Sequence, residues 1–438
     1  MSAIADLAAF IAAPRPLADA TRAAVRLHIV DTLAALIAAT RTAEGQALLR
    51  FREEIGAPAD MGANLMTLCA LTRLSEIDDI HLASMTTPGS IVIPGALAIA
   101  AARPAADRDA LVDAILAGYE AMVRLGLAVD GPAILYRGIW TTYFAAPFGI
   151  AAVASRLLGL DASQTVHALA LALTYTAPGV GHHNAPTTSR WIAAGHAARN
   201  GVAAAQAARA GFTADINMLD GGFFPGVYAI TPKAAALTEG LGSRDVLAEV
   251  SYKPWCAARQ TMAATQALKD ILDSGVRAAD IVAVKATILP PHRRMIDHGV
   301  TPGDRASYLT SLQHNMAVAA VAPQLADVLS PKAEDVPPAV GAFMAKITVE
   351  ADDGLLADYP RQWAAHVAVT TGTGVHEKRV TSIPGDPSRP FGGAEVTAKF
   401  RRFAIPVIGE AAATALLRSI DEKPAALLQQ VEQAIGHP

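Results

Sequence analysis

The sequence predicts a mainly α-helical protein that combines a large all-helical domain with a smaller α+β domain. Apolar residues make up 52% of the 438-residue chain and aromatic residues only 5%, so alanine, the best helix former, supplies much of the interior. Apolar positions recur at helical spacing through the first half of the chain. Near residue 251 this spacing gives way to alternating segments rich in β-branched residues.

The first region, residues 1–250, is predicted to be a succession of helices. Five segments have apolar residues at helical spacing: residues 16–37, 108–129, 148–158, 163–173 and 193–210. Another apolar helix is expected over residues 91–102. Gly159 and Asp161 are typical of a helix end followed by a helix start, which separates the third segment from the fourth.

The second region, residues 251–392, is predicted to be the α+β domain. Four alternating segments are expected to be strands: residues 280–289, 344–350, 363–371 and 376–382. The last two are expected to pair across the turn at Gly372 and Thr373. A helix over residues 308–325 is predicted between the strands. Residues 393–438 regain helical spacing and are expected to rejoin the helical domain.

Composition argues against several classes of protein. The net charge is −4 with no basic cluster, so nucleic-acid binding is not expected. Cys69 and Cys256 cannot form a disulfide framework, which suits a reducing compartment. The first residues lack a basic segment, so no signal peptide is predicted and a cytoplasmic location is expected. Charged or polar residues interrupt each long apolar stretch, so no membrane span is expected.

An acidic segment carries the strongest signal for chemistry. Glu76, Asp78, Asp79 and His81 lie within six residues, and an apolar helix follows almost at once. Acid/base groups held against a core have shifted pKa values, and carboxylate and imidazole form the usual general acid/base pair. The alternative is an acidic loop that only caps a neighbouring helix.

Two further segments of the first region contain candidate binding residues. Trp140 and Tyr143 stand near a predicted helix start, where anions are attracted. The alternative is that these aromatic side chains only fill the helical core. His182 and His183 lie in a loop rich in glycine and proline. Adjacent histidines point apart and no metal-binding spacing supports them, so a histidine facing the substrate is preferred and no metal is predicted.

The segment 252–261 lies at the join between the two regions. Lys253 and Arg259 would suit an anionic substrate, and the alternative for the lysine is a charge at a surface hinge. Cys256 has no base beside it in sequence, which disfavours a nucleophilic role. Residues 290–298 are expected either to reach over a cleft or to form a solvated loop. The chain has no glycine-rich phosphate loop, dinucleotide fingerprint or nucleophile elbow.

Taken together, these segments resemble the MmgE/PrpD family, whose members include 2-methylcitrate dehydratase, cis-aconitate decarboxylase and iminodisuccinate epimerase. Residues 76–81 with Pro88-Gly89 and residues 92–94 resemble the family signature D-x-D-D-T-H…H-P-G…V-x-P. The other matching segments follow in register: residues 118–126, 147–160, 197–201, 210–213, 219–224, 253–254, 385–387 and 399–400. The resemblance covers nearly the whole chain.

The resemblance implies a helical domain closed by an α+β lid, a homodimer, and cofactor-independent chemistry on a small carboxylate substrate. That chemistry abstracts a proton next to a carboxylate and then loses water or carbon dioxide, or reprotonates. The catalytic residues it suggests are Glu76, Asp79, His81, His182 and Lys253. The suggested substrate-binding residues are Thr87, Trp140, Tyr143, His183, Arg190, Cys256, Arg259 and His314.

The chain departs from the family pattern where the site is expected. Thr87 and Trp140 stand where the family has histidines, Arg190 where it has a lysine, and His314 where it has a tyrosine. Glu76 replaces an aspartate and keeps the carboxylate. A less polar pocket predicts a substrate with fewer carboxylates. The departures leave open two alternatives: a scaffold that binds a metabolite without catalysis, and a hydrolase that uses Cys256.

Overall fold

The computed structural model describes residues 2–176 and 187–436. It is mainly helical with one four-stranded sheet, which confirms the predicted fold class. Two compact units are distinguished. The helical unit contains the described residues up to Ser251 together with residues 391–436, and the α+β unit contains Tyr252–Pro390.

The described residues before Ser251 form eleven α-helices. They are α1 (Ala3–Ala12), α2 (Asp19–Ala39), α3 (Ala43–Glu54), α4 (Met61–Leu74), α5 (Gly89–Ala101), α6 (Arg108–Ala128), α7 (Gly131–Leu135), α8 (Thr141–Leu158), α9 (Ala162–Thr174), α10 (Ser189–Arg209) and α11 (Phe223–Tyr228). The core lies around α5, of which all but the last residue are buried, with α4, α6 and α8 packed against it.

Small residues let these helices pack closely. A Cβ at Gly195 of α10 would lie 2.1 Å from the Met66 carbonyl oxygen, and one at Gly201 would lie 2.4 Å from the Pro147 carbonyl oxygen. No side chain fits at either distance, so the approach of α10 to α4 and α8 depends on glycine. These glycines therefore reflect close helix packing in this unit.

Helix α8 begins earlier than the sequence predicts. Its first turn consists of the polar-tipped residues Thr141, Thr142 and Tyr143, which hide the apolar spacing, yet all three are buried. The end of α8 is as expected, because Gly159 adopts a left-handed conformation (φ 68°). Asp161 then caps α9 in a capping box with Gln164.

The α+β unit contains five helices and four strands. The helices are α12 (Arg259–Asp273), α13 (Pro290–Ile296), α14 (Arg305–Thr310), α15 (Leu312–Val321) and α16 (Pro338–Met344), and the strands are β1 (Ile281–Ile288), β2 (Ile347–Ala351), β3 (Ala365–Thr371) and β4 (Gly374–Val380). The strand order is β2-β1-β3-β4, with β1 and β2 parallel and the other pairs antiparallel. The predicted hairpin between β3 and β4 is confirmed. Helix α12 packs on both of its strands.

Two expectations for this unit need correction. The helix expected over residues 308–325 is two helices, α14 and α15, because the extended backbone of Ser311 ends the first and its hydroxyl caps the second. The segment 290–298 is mostly helix α13 rather than an open loop. His292 within it is buried, with its ring 4.8 Å from that of Trp363.

The last two helices are α17 (Gly393–Ser419) and α18 (Pro424–Gly436), which pack on α2 and α5 in the helical unit. Lys399 of α17 is buried and forms an ion pair with Asp31 of α2 at 2.6 Å. Its ammonium group also donates to the carbonyl oxygen of Ile77 at 2.7 Å. Helix α17 thus anchors the acidic segment through the backbone of Ile77.

Among the described helices, none alone is long and apolar enough to cross a membrane. Helices α2 and α3, which are bent by 92° relative to each other, meet the length and composition criteria only as a pair.

Candidate active site

Glu76 forms an ion pair with the buried Arg73 at the end of α4. The Arg73 guanidinium lies 3.1 Å from the Glu76 carboxylate and 3.2 Å from that of Asp78. Glu76 has a left-handed backbone (φ 61°), which is uncommon and unfavourable for a residue with a Cβ. Its side chain is only 12% exposed. Such backbone strain clusters at functional sites, so Glu76 is a strong candidate for chemistry.

The N-terminal end of α8 presents two buried hydrogen-bond donors. Trp140 occupies the N-cap position but its indole cannot cap the helix. It is 7% exposed and stacks on the fully buried Tyr143, with ring centroids 5.7 Å apart. Neither Trp140 Nε1 nor Tyr143 Oη has a hydrogen-bond partner among the residues that the structure describes. Buried polar groups are nearly always paired, so these two donors are candidates for binding a ligand.

Positive charge lies beside this helix end. The Arg190 guanidinium stands over both the Trp140 ring (5.3 Å) and the Trp191 ring (5.5 Å). The Arg73 guanidinium also lies over the Trp191 ring, at 5.8 Å. Burial raises the pKa of Tyr143 to about 12, although the charges of Arg73 and Arg190 oppose this shift. Tyr143 is therefore a hydrogen-bond donor throughout the neutral pH range.

Thr87 connects the starts of α5 and α8. Its backbone amide donates to Thr142 Oγ1 at 3.0 Å, and its hydroxyl lies 3.2 Å from the hydroxyls of both Thr142 and Ser90. The residue is buried, so a hydroxyl here fixes the two helix ends relative to each other.

Asp79 lies in a closed network of hydrogen bonds. Its carboxylate accepts from the Tyr119 hydroxyl (2.6 Å) and the Gly89 amide (2.7 Å), and lies 3.0 Å from His28 Nδ1. A Cβ at Gly89 would lie 2.6 Å from the Asp79 carboxylate, so only glycine fits there. The carboxylate thus accepts a hydrogen bond from a free backbone amide at the start of α5, as an N-capping group does.

His81 is also held on both sides. The Ser84 amide donates to Nδ1 (3.1 Å), which leaves the proton on Nε2, and Nε2 lies 3.2 Å from Glu249. Arg244 grips Glu249 through two hydrogen bonds of 2.6 and 2.5 Å. Burial lowers the pKa of His81, so the imidazole is neutral. Burial alone would raise the pKa of Glu249, but Arg244 and His81 lower it to about 2.

The α+β unit holds four of the predicted residues. Lys253 and Cys256 are buried, and the Cys256 amide donates to the Ala326 carbonyl oxygen. Arg259 donates to both carboxylate oxygens of Asp386, at 2.8 and 2.7 Å. Burial lowers the pKa of His314 to about 4, and its Nδ1 has no partner among the described residues. Asp386, in the Gly385-Asp386-Pro387 segment, thus accepts from both Arg259 and the Ile383 amide.

The structure separates the predicted residues into groups. Glu76, Trp140, Tyr143 and Arg190 share one set of buried charges and rings, which we call the α8 cluster and which also contains Arg73, Asp78 and Trp191. Asp79 and His81 belong to separate hydrogen-bond networks of the helical unit. His182 and His183 lie outside the described residues.

Sequence reasoning missed several partners. Arg73 could have been found, because it lies three residues before Glu76 and such spacing brings side chains together at a helix end. Trp191 adjoins a candidate in sequence. Glu249 lies 168 residues from His81 and no local pattern indicates it. Within the described part of the chain, no group of three or more histidine, cysteine or acidic residues is arranged to hold a metal ion.

Comparison with known proteins gives two family matches and a curated relative. The MmgE/PrpD N-terminal domain matches residues 5–239, and the MmgE/PrpD C-terminal domain matches residues 255–422. The relative is the cis-aconitate decarboxylase-like protein oryM of Aspergillus oryzae (strain ATCC 42149 / RIB 40), which is 31% identical over 159 residues. That match spans 34% of this chain and 32% of the relative's length.

Proposed function

Because this chain belongs to the MmgE/PrpD family, we propose that it is a cofactor-independent lyase or isomerase that removes a proton next to a carboxylate of a small organic acid. The family includes dehydratases and decarboxylases. The name of the partial relative, a cis-aconitate decarboxylase-like protein, is of the same lyase type.

One observation carries the proposal. In the α8 cluster, two buried donors without a described partner, Trp140 Nε1 and Tyr143 Oη, lie at a helix N-terminus within electrostatic reach of Glu76. Donors aimed from a helix start into a buried site suit a carboxylate. They suit even better the enolate-like charge that develops when the neighbouring carbon loses its proton.

The proposed reaction begins with the substrate carboxylate bound to Trp140 Nε1 and Tyr143 Oη. Arg190, which contacts two indole rings, adds positive charge to this end of the site. The Glu76 carboxylate takes the proton from the neighbouring carbon, and Arg73, shared with Asp78, holds that carboxylate in place. In a dehydration, the electron pair forms the C–C double bond and expels the β-hydroxyl, which takes a proton from the protonated Glu76 and leaves as water. In an isomerisation, the carbon is reprotonated instead. In a decarboxylation, the carbon that loses carbon dioxide keeps the electrons of the broken C–C bond and takes up a proton.

The remaining predicted residues fall into two groups in this proposal. Asp79, His81 and Thr87 position the helix starts and the acidic segment. Lys253 and His182 are proposed as further catalytic groups, and His183, Cys256, Arg259 and His314 as substrate-binding residues, from the family resemblance. The same resemblance is the basis for proposing a homodimer in the cytoplasm.

A second candidate is a metabolite-binding protein that has lost catalysis. The observation in its favour is that Trp140 and Thr87 stand where the resemblance places histidines, while both nitrogens of His81 are occupied within the protein. Such a protein would bind a carboxylate at α8 and leave its C–H bonds intact.

Proton NMR in deuterated water distinguishes the two candidates. The substrates are methylcitrate, the aconitates, itaconate and iminodisuccinate-like acids. We expect turnover or C–H exchange with the wild type, and a loss of about 100-fold or more in Glu76→Gln, since general base catalysis contributes that much. Glu54→Gln, at an exposed glutamate of α3, is the matched control and should retain full activity.

The other outcomes are informative. Exchange that survives in Glu76→Gln would exclude Glu76 as the base. Saturable binding without any exchange in the wild type would favour the metabolite-binding protein. Neither binding nor exchange across the panel would contradict the proposed substrate class.

A further inference from the structure

A cavity of about 440 Å³ in the helical unit is lined by four arginines and two aspartates. They are Arg15, Arg22, Arg103, Arg156, Asp109 and Asp113, and we call this cavity the arginine pocket. It is bounded by the chain before and at the start of α2, the link between α5 and α6, the first turns of α6, and the end of α8. None of these residues belongs to the α8 cluster.

Three of the four guanidinium groups are fixed in position. Asp113 pairs with both Arg15 (3.1 Å) and Arg156, so one carboxylate is shared by two arginines. Arg22 is held by Asp109, with hydrogen bonds of 2.9 and 2.8 Å. Less than a third of the side chain is exposed in each of Arg15, Arg22 and Arg156. Because ion pairs already hold these guanidinium groups, their N–H donors are positioned before a ligand binds.

Arg103 is the group that these structural pairs do not explain. Among the described residues, its side chain has no hydrogen-bond or ion-pair partner, although it lines the same cavity. Among the lining residues, four guanidinium groups and two carboxylates leave a formal excess of two positive charges, or of one when Asp19, which pairs with Arg22 at 3.1 Å, is included. Residues of the first turn of α6, a 21-residue helix, also line it, and the helix dipole adds positive potential there.

We propose that the arginine pocket binds a small dianion or trianion whose charges are carried by terminal oxyanion groups. Planar guanidinium groups donate paired hydrogen bonds that match carboxylate and phosphate oxygens, and the cavity volume suits a molecule of metabolite size. A polycarboxylate and a phosphate compound would both offer such oxyanion groups. The site goes beyond the proposed reaction, because it uses none of the residues assigned to it.

Isothermal titration calorimetry of the full chain tests the pocket with citrate, tricarballylate and pyrophosphate at constant ionic strength. We expect saturable binding of at least one of them, weakened about tenfold or more in Arg103→Gln through loss of a charge-assisted donor. Arg50→Gln, at an exposed arginine of α3 outside the pocket, should bind like the wild type. Preference for the carboxylates or for pyrophosphate identifies the source of the oxyanions.

Two controls separate this site from the α8 cluster. Glu76→Gln should keep the binding that Arg103→Gln loses, and Arg103→Gln should keep any C–H exchange that Glu76→Gln loses. Equal affinity in Arg103→Gln and the wild type would overturn the proposal, as would the absence of saturable binding for all three anions. Arg103→Glu gives a second check, since reversal of the charge should abolish binding in a protein with an unchanged circular dichroism spectrum.

Discussion

The N-terminal ends of α5 and α8 are both buried in the helical unit, yet their polar groups are satisfied differently. At α5, the Gly89 amide donates to Asp79, and the same carboxylate accepts from Tyr119 and contacts His28. At α8, no side chain caps the helix, and the nearby donors of Trp140 and Tyr143 have no partner in the described chain. The first end is satisfied by described side chains, and the second is not.

The same contrast separates two carboxylates that lie three residues apart. Asp79 is enclosed by donors that belong to the protein, so its removal should affect folding. Glu76 has a strained backbone and pairs with an arginine that also contacts Asp78. Its removal should affect chemistry. Proximity in sequence therefore does not make two acidic residues equivalent, because each one's role follows from its partners.

The largest expected effect breaks the closed network at α5. Asp79→Ala leaves the Tyr119 hydroxyl and the Gly89 amide buried without an acceptor, and should lower the free energy of unfolding by about 3–5 kcal/mol. Urea denaturation followed by circular dichroism measures this loss. A decrease below about 1 kcal/mol, the usual net contribution of one hydrogen bond, would show that the network is not an anchor.

The next prediction compares two tyrosines that each lose only a hydroxyl. Tyr143→Phe should lower kcat/KM by about 10²–10³, as removal of one donor to a developing negative charge does, while stability is unchanged or slightly higher. Tyr119→Phe should instead lower the free energy of unfolding by about 1.5–3 kcal/mol, because its hydroxyl donates to a carboxylate. Equal destabilisation by both changes would contradict the distinction between an open and a closed helix end.

The fold was largely predictable from the sequence because it depends on local spacing. Helical periodicity located α2, α6, α9 and α10, and alternation located the four strands with the pairing of β3 and β4. The start of α8 was not predictable, since its first turn carries polar-tipped residues that are buried only by tertiary packing. Likewise, the break between α14 and α15 depends on the backbone conformation of a single serine.

The candidate site was predictable only as a set of residues. Composition and spacing identified Glu76, Asp79, His81, Trp140 and Tyr143. These residues differ in whether their polar groups have hydrogen-bond partners from distant parts of the sequence. Tyr119 lies 40 residues from Asp79 and Glu249 lies 168 residues from His81, and such pairings are set by helix packing. A sequence pattern therefore identifies candidate residues. Their hydrogen-bond partners in the structure separate those that stabilise the fold from those that are candidates for binding a ligand.

A smaller effect on stability is expected from the buried His292, which lies in the α+β unit and not at either of the two helix ends compared above. Burial and then the charge of Arg259 lower the pKa of His292 to about 3, from the ordinary value of 6.5. Above pH 6.5 the side chain is neutral in both the folded and the unfolded chain and has no effect. Below that pH the unfolded chain takes up a proton that the folded chain does not, so stability falls by about 1.4 kcal/mol per pH unit.

We expect urea denaturation at pH 5.5 to show a loss of about 1.4 kcal/mol relative to a chain without this titration. His292→Phe should flatten that part of the profile, whereas His376→Asn on the partly exposed strand β4 should not. An unchanged slope in His292→Phe would mean that the imidazole is already protonated in the folded unit.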